Sequence, residues 1–315
     1  MTQAATRLIL IVATAAVSAV GQSANPNTIV GAGYLFPGSI SIAPGQIITI
    51  FAAGVGSTLK QPVFAGAGNL PTSLAGIGVT LIQATNIPVP ILQVSPVSIC
   101  PNCGVMTAIT IQIPYELYQP PPSGGLVPAV ELVVTENGVA GNWTIVNPVP
   151  IQVHILTVCD TVLGGSGIST GRCQWEVTHA NGTLVSNTSP ASQGEELVAY
   201  AVGLGATNPA VPTGQPATQP TPTANTFTLG FTFQPDASPS APSSSQANSA
   251  PTPLFTGLTP GYPGLYQINF VVPTVPAGLP PCAGQGPDLV NTNLTVSIGN
   301  GASFDGVEIC VSLPE

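Results

Sequence analysis

The segment GQIITIFAAGVGST, Gly45 to Thr58, returns without a gap 149 positions later as GEELVAYAVGLGAT, Gly194 to Thr207. Both copies run strand-like into Gly-x-Gly, at Gly54 and Gly56 and again at Gly203 and Gly205. Each has an aromatic residue three positions before the first of those glycines, Phe51 and Tyr200. Solenoid and propeller units repeat every 20–50 residues or so, so this spacing means two copies of one domain. The 315 residues are enough for about two ordinary domains.

Short alternating runs fill the rest of each copy. Ile77, Val79 and Leu81 alternate with Gly78, Thr80 and Ile82, and Ile109 to Ile113 alternates up to Pro114. Phe227, Leu229, Phe231 and Phe233 recur at period two, so four apolar side chains share one face. Asn137-Gly138 and Asn181-Gly182 are dipeptides suited to type I′ hairpin turns. Phe270 to Pro273 corresponds to Ile111 to Pro114, and Leu294 to Ile298 to Leu132 to Glu136. The 35 Gly and 35 Pro work against long helices. The expected class is all-β, a β-sandwich in each half.

The N-terminus reads as a secretory signal. Arg7 precedes an apolar run from Leu8 to Val20, and small residues at Ala19 and Gly21 place the cut after Gly21. A membrane anchor is the alternative, but the run is short of the ~20 residues a span needs. The expected organisation is signal peptide 1–21, a lead-in 22–35, a first domain 36–158, a connector 159–190 with a disulfide-stapled hairpin, and a second domain 191–315. A Pro/Ser/Thr-rich loop, 236–253, is expected to be mobile. The expected location is secreted or at the cell surface.

Without Arg7, two basic side chains, Lys60 and Arg172, face 12 acids, a formal charge of −10. Such a chain cannot neutralise a row of phosphates, which excludes nucleic acid as a partner. Six cysteines fit an oxidising compartment. Spacing suggests the pairs Cys100–Cys103, Cys159–Cys173 and Cys282–Cys310, among 15 connectivities.

Candidate chemistry is sparse. Cys100-Pro101-Asn102-Cys103 lies between strands, not at a helix start, so a structural disulfide is expected rather than a redox pair. His154 sits in an apolar run, as a buried or edge histidine does, and His179 stands beside a hairpin turn, as a solvated one does. Gly164-Gly165-Ser166-Gly167 lacks the nucleophile-elbow spacing. Glu195 and Glu196 are neighbours on a strand and point to opposite faces. The remaining acids are scattered, no loop has calcium-ligand spacing, and no cofactor or metal is expected. Trp143, Trp175, Tyr262 and Tyr266 are candidate ligand-facing aromatics, against the ordinary alternative of core packing.

The segments APGQIITIFAAGVG, LPTSLAGIGVTL, VPILQVSP, ITIQIP, ANGTLVSNTSPASQGEELVAYAVGLG and LTPGYPGLYQINFVVP, in that order, resemble the secreted-protein C-terminal domain family abundant in Acidobacteria. The resemblance runs from roughly Ile29 to Leu313. It implies tandem immunoglobulin-like modules of exported proteins, with no catalytic residues to carry over. The chain departs from the family in standing almost alone behind its signal, and in a segment between Pro96 and Ile109 that looks like an insertion. The expected function is a non-enzymatic surface or matrix interaction protein. The alternative is a carbohydrate-binding accessory of a secreted degradative system. Expected partners are an extracellular polysaccharide, a surface protein, or a second copy paired through sandwich edges.

Overall fold

In the computed structural model, residues 28–34, 41–97, 106–117, 129–163, 173–234, 250–282, 290–298 and 303–314 are described. The signal segment, the Cys100–Cys103 motif and nearly all of the 236–253 loop lie outside them. Among the described residues there are β-strands and one 3-10 turn, Thr161–Leu163.

The first half contributes β1 (Thr28–Gly33), β2 (Ser41–Ile42), β3 (Ile47–Ala53), β4 (Val63–Phe64), β5 (Ser73–Leu74), β6 (Ile77–Ile82), β7 (Asn86–Pro88), β8 (Ile91–Val97), β9 (Met106–Gln112), β10 (Val130–Glu136) and β11 (Val139–Pro148). The second contributes β12 (His154–Ile155), β13 (Val177–His179), β14 (Glu196–Val202), β15 (Thr221–Pro222), β16 (Thr228–Thr232), β17 (Phe255–Leu258), β18 (Tyr266–Val271), β19 (Thr292–Ile298) and β20 (Ser303–Ile309).

The strand order repeats. In the first half one sheet runs β1-β3-β9-β8-β4 and the other β2-β11-β10-β6-β5. In the second half one sheet runs β12-β14-β18-β17-β15, with β13 also on β14, and the other β16-β19-β20. β2 lies parallel to β11, and Ala191 bridges Val311 in the same sense. Each half has its own core. Ile50, Leu81, Ile109 and Leu132 sit in the first, and Leu197, Phe231, Phe270 and Val296 in the second. The period-two run from Phe227 to Phe233 lies wholly in that second core.

The repeated segment is equivalent down to single hydrogen bonds. The Gly45 and Gly194 amides donate to Ile113 and Val272 carbonyls, each at 2.9 Å. The Gln46 side chain accepts from the Ala43 amide, and the Glu195 side chain from the Ser192 amide, each at 2.8 Å. Gly54, Gly56, Gly203 and Gly205 all have φ between 69° and 83°, the left-handed region that side chains disfavour. A Cβ on Gly203 would also stand 1.9 Å from the Gln152 carbonyl oxygen.

One edge strand breaks the equivalence. Thr28 and Ile29 pair with Ala53 and Ala52, then the register slips by one residue, Val30, before Gly31 pairs with Phe51. In the second half His154 and Ile155 pair with Val202 and Ala201, the matching positions. The edge resumes when the Tyr200 amide donates to the Glu176 carbonyl and Val177 pairs with Ala199. Where the first edge strand has Val30 alone, the second therefore carries residues 156–175.

This pairing corrects the expected boundaries. Residues 22–35 are not only a lead-in, because β1 is a sheet strand whose Gly31 and Gly33 disguise its alternation. Ile151, Val153 and Ile155 belong to the second core rather than closing the first. The expected connector is the second edge strand with its excursion, and Val177 and Val185 lie in the same core. The two Asn-Gly turns also differ. Asn137 and Gly138 both have positive φ, as a type I′ turn requires, whereas at Asn181-Gly182 only Gly182 does. There the His179 amide donates to the Thr183 carbonyl and Gly182 to His179, which makes a three-residue hairpin loop with a bulge.

Candidate functional site: the junction cleft and its clasp

The excursion 156–175 is closed on itself by the Cys159–Cys173 disulfide, Cα atoms 5.6 Å apart. Three residues outside each cysteine, the backbone is tied to β14. The Glu176 amide donates to Leu156, and Leu156 to Tyr200, at 2.8 and 2.9 Å. Leu156, Glu176 and Tyr200 so become one wall of a cleft of about 360 Å³. The facing wall is the β17–β18 loop, which supplies Thr259, Tyr262 and Leu265. That loop is pinned by the Thr259 amide on the Leu265 carbonyl, 2.9 Å, and turns at Gly261 and Gly264 with positive φ.

Behind the wall, His154 is held on both sides. Its Nδ1 is 3.0 Å from Asp305 Oδ2 and its Nε2 3.1 Å from Asp160 Oδ2. The Tyr34 ring, from the first half, stacks on the imidazole at 3.8 Å. Asp160 is wholly buried and also accepts from the Thr157 amide at 2.6 Å. Burial opposes the His154 charge, but the hydrogen bonds to the two carboxylates outweigh it and push the pKa up to about 9. Both ring nitrogens therefore carry protons and donate. Burial, then the charge of Asp160, raises the Glu176 carboxyl above its usual range. Burial pushes the Tyr34 phenol up, and its oxygen accepts from Gln46 at 2.7 Å.

The clasp continues across the junction. The Thr161 hydroxyl is within hydrogen-bonding distance of Thr49 at 2.6 Å and of the Tyr34 carbonyl at 3.1 Å. On the far side, Tyr115 from the first half meets Tyr266 from the second, hydroxyl to hydroxyl, at 3.0 Å. The Gly214 amide donates to Gln112 at 2.7 Å.

The candidate aromatics part company. Tyr262 is 60% exposed and lines the cleft, and Trp143 is 59% exposed on β11. Trp175 is half-buried against the second core and bridges Thr157. Tyr266 is not ligand-facing. It is fully buried, alternates with Ile268 and Phe270, and donates its hydroxyl to the Gly205 carbonyl. Its period-two spacing with those two core residues was the signal that places it inside. Cys159–Cys173 and Cys282–Cys310 are both bonded, as in an oxidising compartment. Sequence reasoning missed Asp160, Glu176, Tyr200, Thr259 and Asp305 as a group. His154 and Asp305 are 151 residues apart, and only the fold unites them.

His179 is not solvated as expected. Its Nδ1 faces Glu195 Oε1, and its Nε2 lies 3.1 Å from the Ser189 carbonyl and 3.2 Å from the Ser189 hydroxyl. Serine, histidine and glutamate here have the spacing of a hydrolytic triad, with the Ser189 carbonyl sharing Nε2 with the hydroxyl. Burial lowers the His179 pKa, and the bonds to Glu195 and the Ser189 carbonyl more than reverse that. The set works as a staple between loop and turn.

Among the described residues, no group of three or more His, Cys, Asp or Glu side chains is arranged to hold a metal ion. No described helix is long and apolar enough to cross a membrane. The chain matches no family model and no curated protein.

Proposed function

We propose that the chain is an exported, non-enzymatic interaction protein of two immunoglobulin-like sandwiches, acting at a cell surface or in an extracellular matrix. Support for the fold reading comes from strand order. β1-β3-β9-β8 against β6-β10-β11, with β2 parallel to β11, follows the immunoglobulin arrangement of strands A, B, E and D against C, F and G.

The observation that carries the interaction reading is the outer face of the β6-β10-β11 sheet. Trp143 stands beside Val133 and Thr80, and Ile145 beside Glu131 and Ile82. Trp143 and Ile145 are 59% and 60% exposed, while the inward-facing Val79, Leu81, Leu132 and Val134 are buried. A large aromatic and a large aliphatic side by side on a strand face fit a contact surface. A second reading, a carbohydrate-binding accessory, is favoured by the same exposed Trp143, whose ring suits the apolar face of a sugar.

The test uses fluorescently labelled mature protein and its Trp143→Ala variant on the producing cells and their matrix, with size and shape from light scattering and negative-stain imaging. Saturable binding that falls at least about tenfold in the variant is expected, either as a monomer or in filaments. Equal binding by both proteins overturns the contact surface. Quenching of Trp143 by a polysaccharide selects the carbohydrate reading, and silence across a panel of plant and microbial polysaccharides removes it. Turnover that is abolished by an Asp or Glu substitution overturns the non-enzymatic reading.

A further inference from the structure

The junction cleft is separate from the Trp143 face, and its chemistry is different. We propose that it binds a small N-methylated ammonium ion, a free molecule bearing a trimethylammonium head, between Tyr200 and Tyr262 with Glu176 as counter-ion.

Size sets the first limit. About 360 Å³ lies at the lower end of the roughly 300–1,000 Å³ typical of small-molecule sites. Charge sets the second. Glu176 lines the cleft half-buried, and what acts on it is burial and the negative charge of Asp160. Asp160 and Asp305 share the single imidazolium of His154, so the local balance among the described residues stays negative. Lys60, the one lysine or arginine among the described residues, is exposed in a loop of the first half. Among the described residues the lining holds no cationic side chain, so an incoming cation supplies a counter-charge to Glu176.

The walls choose among cations. Leu156 and Leu265 are apolar, and the lining includes Tyr200 and Tyr262, a residue type whose ring attracts a cation placed over its face. A primary ammonium carries three N–H donors that each need an acceptor, and beyond the tyrosine hydroxyls and the Glu176 carboxylate the lining adds only the Thr259 hydroxyl, whose oxygen is buried. A trimethylammonium head has no N–H to satisfy and matches both the charge and the apolar lining. A sugar ring would bring more hydroxyls than the lining can pair, each costly if buried unpaired. A neutral apolar ligand would bury Glu176 further with no compensation.

The mature chain is titrated by calorimetry with choline, tetramethylammonium, n-butylammonium, cellobiose and 3,3-dimethyl-1-butanol, the uncharged carbon analogue of choline. Choline is expected to saturate one site per chain and the neutral analogue to bind at least about tenfold more weakly. Glu176→Gln should weaken choline about tenfold and erase its advantage over the neutral analogue. Tyr262 is exposed, so Tyr262→Ala keeps the fold and should weaken choline by about fivefold, within the range of a partly desolvated cation–π contact. An unchanged thermal transition verifies folding of both variants. No saturation by choline or tetramethylammonium overturns the proposal. So does equal binding of the neutral analogue, or tighter binding of n-butylammonium or cellobiose. Trp143→Ala should leave choline binding unchanged, so loss of surface binding and loss of cation binding are read separately.

Discussion

At the scale of single residues, His154 decides how the junction responds to pH. Its pKa of about 9 in the folded chain lies above the ordinary 6.5. A raised histidine pKa means that the folded state binds the proton more tightly than the unfolded one. The resulting stabilisation is complete below about pH 6.5 and is lost as pH rises through about 9. Thermal stability should therefore fall between pH 6.5 and 9.5, and His154→Gln should flatten that slope. An unchanged slope in the variant, measured by circular dichroism, would refute the assignment. The same substitution leaves Asp160 buried without its cation, a change that costs about 3–5 kcal/mol in comparable buried pairs. Gln46 and Glu195 show how little separates a neutral contact from a titrating one. Both cap the same turn through one oxygen, but the second atom of Gln46 reaches the Tyr34 phenol and that of Glu195 the His179 ring.

Among elements, β16 was the most legible in advance. Its flanking and internal apolar residues repeat at period two, and Phe231 packs 5.7 Å from Phe270 and 5.9 Å from Phe233. Phe231→Ala should cost about 3–5 kcal/mol in chemical denaturation, the range for an aromatic deleted from a core. A loss under 1 kcal/mol would mean that the strand is not integral to the second sandwich. The Gly-x-Gly ends of β3 and β14 were legible too, because only glycine takes those φ values at no cost. β1 was not. Gly31 and Gly33 interrupt its apolar pattern, and its pairing with β3 rests on backbone bonds that no side chain announces. The excursion 156–175 overlaps the expected connector 159–190, whose close cysteine pair and Asn-Gly turn suggest a stapled hairpin and not part of an edge strand. Its place inside an edge strand depends on the register with β14, which lies 20 or more residues downstream. The cleft was illegible for the same reason, since its walls come from three separated segments and sequence supplies only the period within each.

Across the whole molecule, polar contacts among the described residues join the halves on two sides. Tyr34, His154 and Thr161 meet on one side, and Tyr115, Tyr266, Gln112 and Gly214 on the other. Ile47, Leu156 and Val202 pack as a small apolar cluster between the two larger cores. Contacts so distributed couple the halves, and calorimetry should show a single unfolding transition whose calorimetric and van't Hoff enthalpies agree. Two resolved transitions would show that each half unfolds alone. The edge-strand excursion also makes the two halves chemically unequal. By register with the repeated strand, His179 stands in the second half where Tyr34 stands in the first. Residues 156–175 have no counterpart there, and they bring Leu156 and Asp160. Clasp and cleft wall therefore belong to one half alone, hung at the place where the other half has the lone bulge residue Val30.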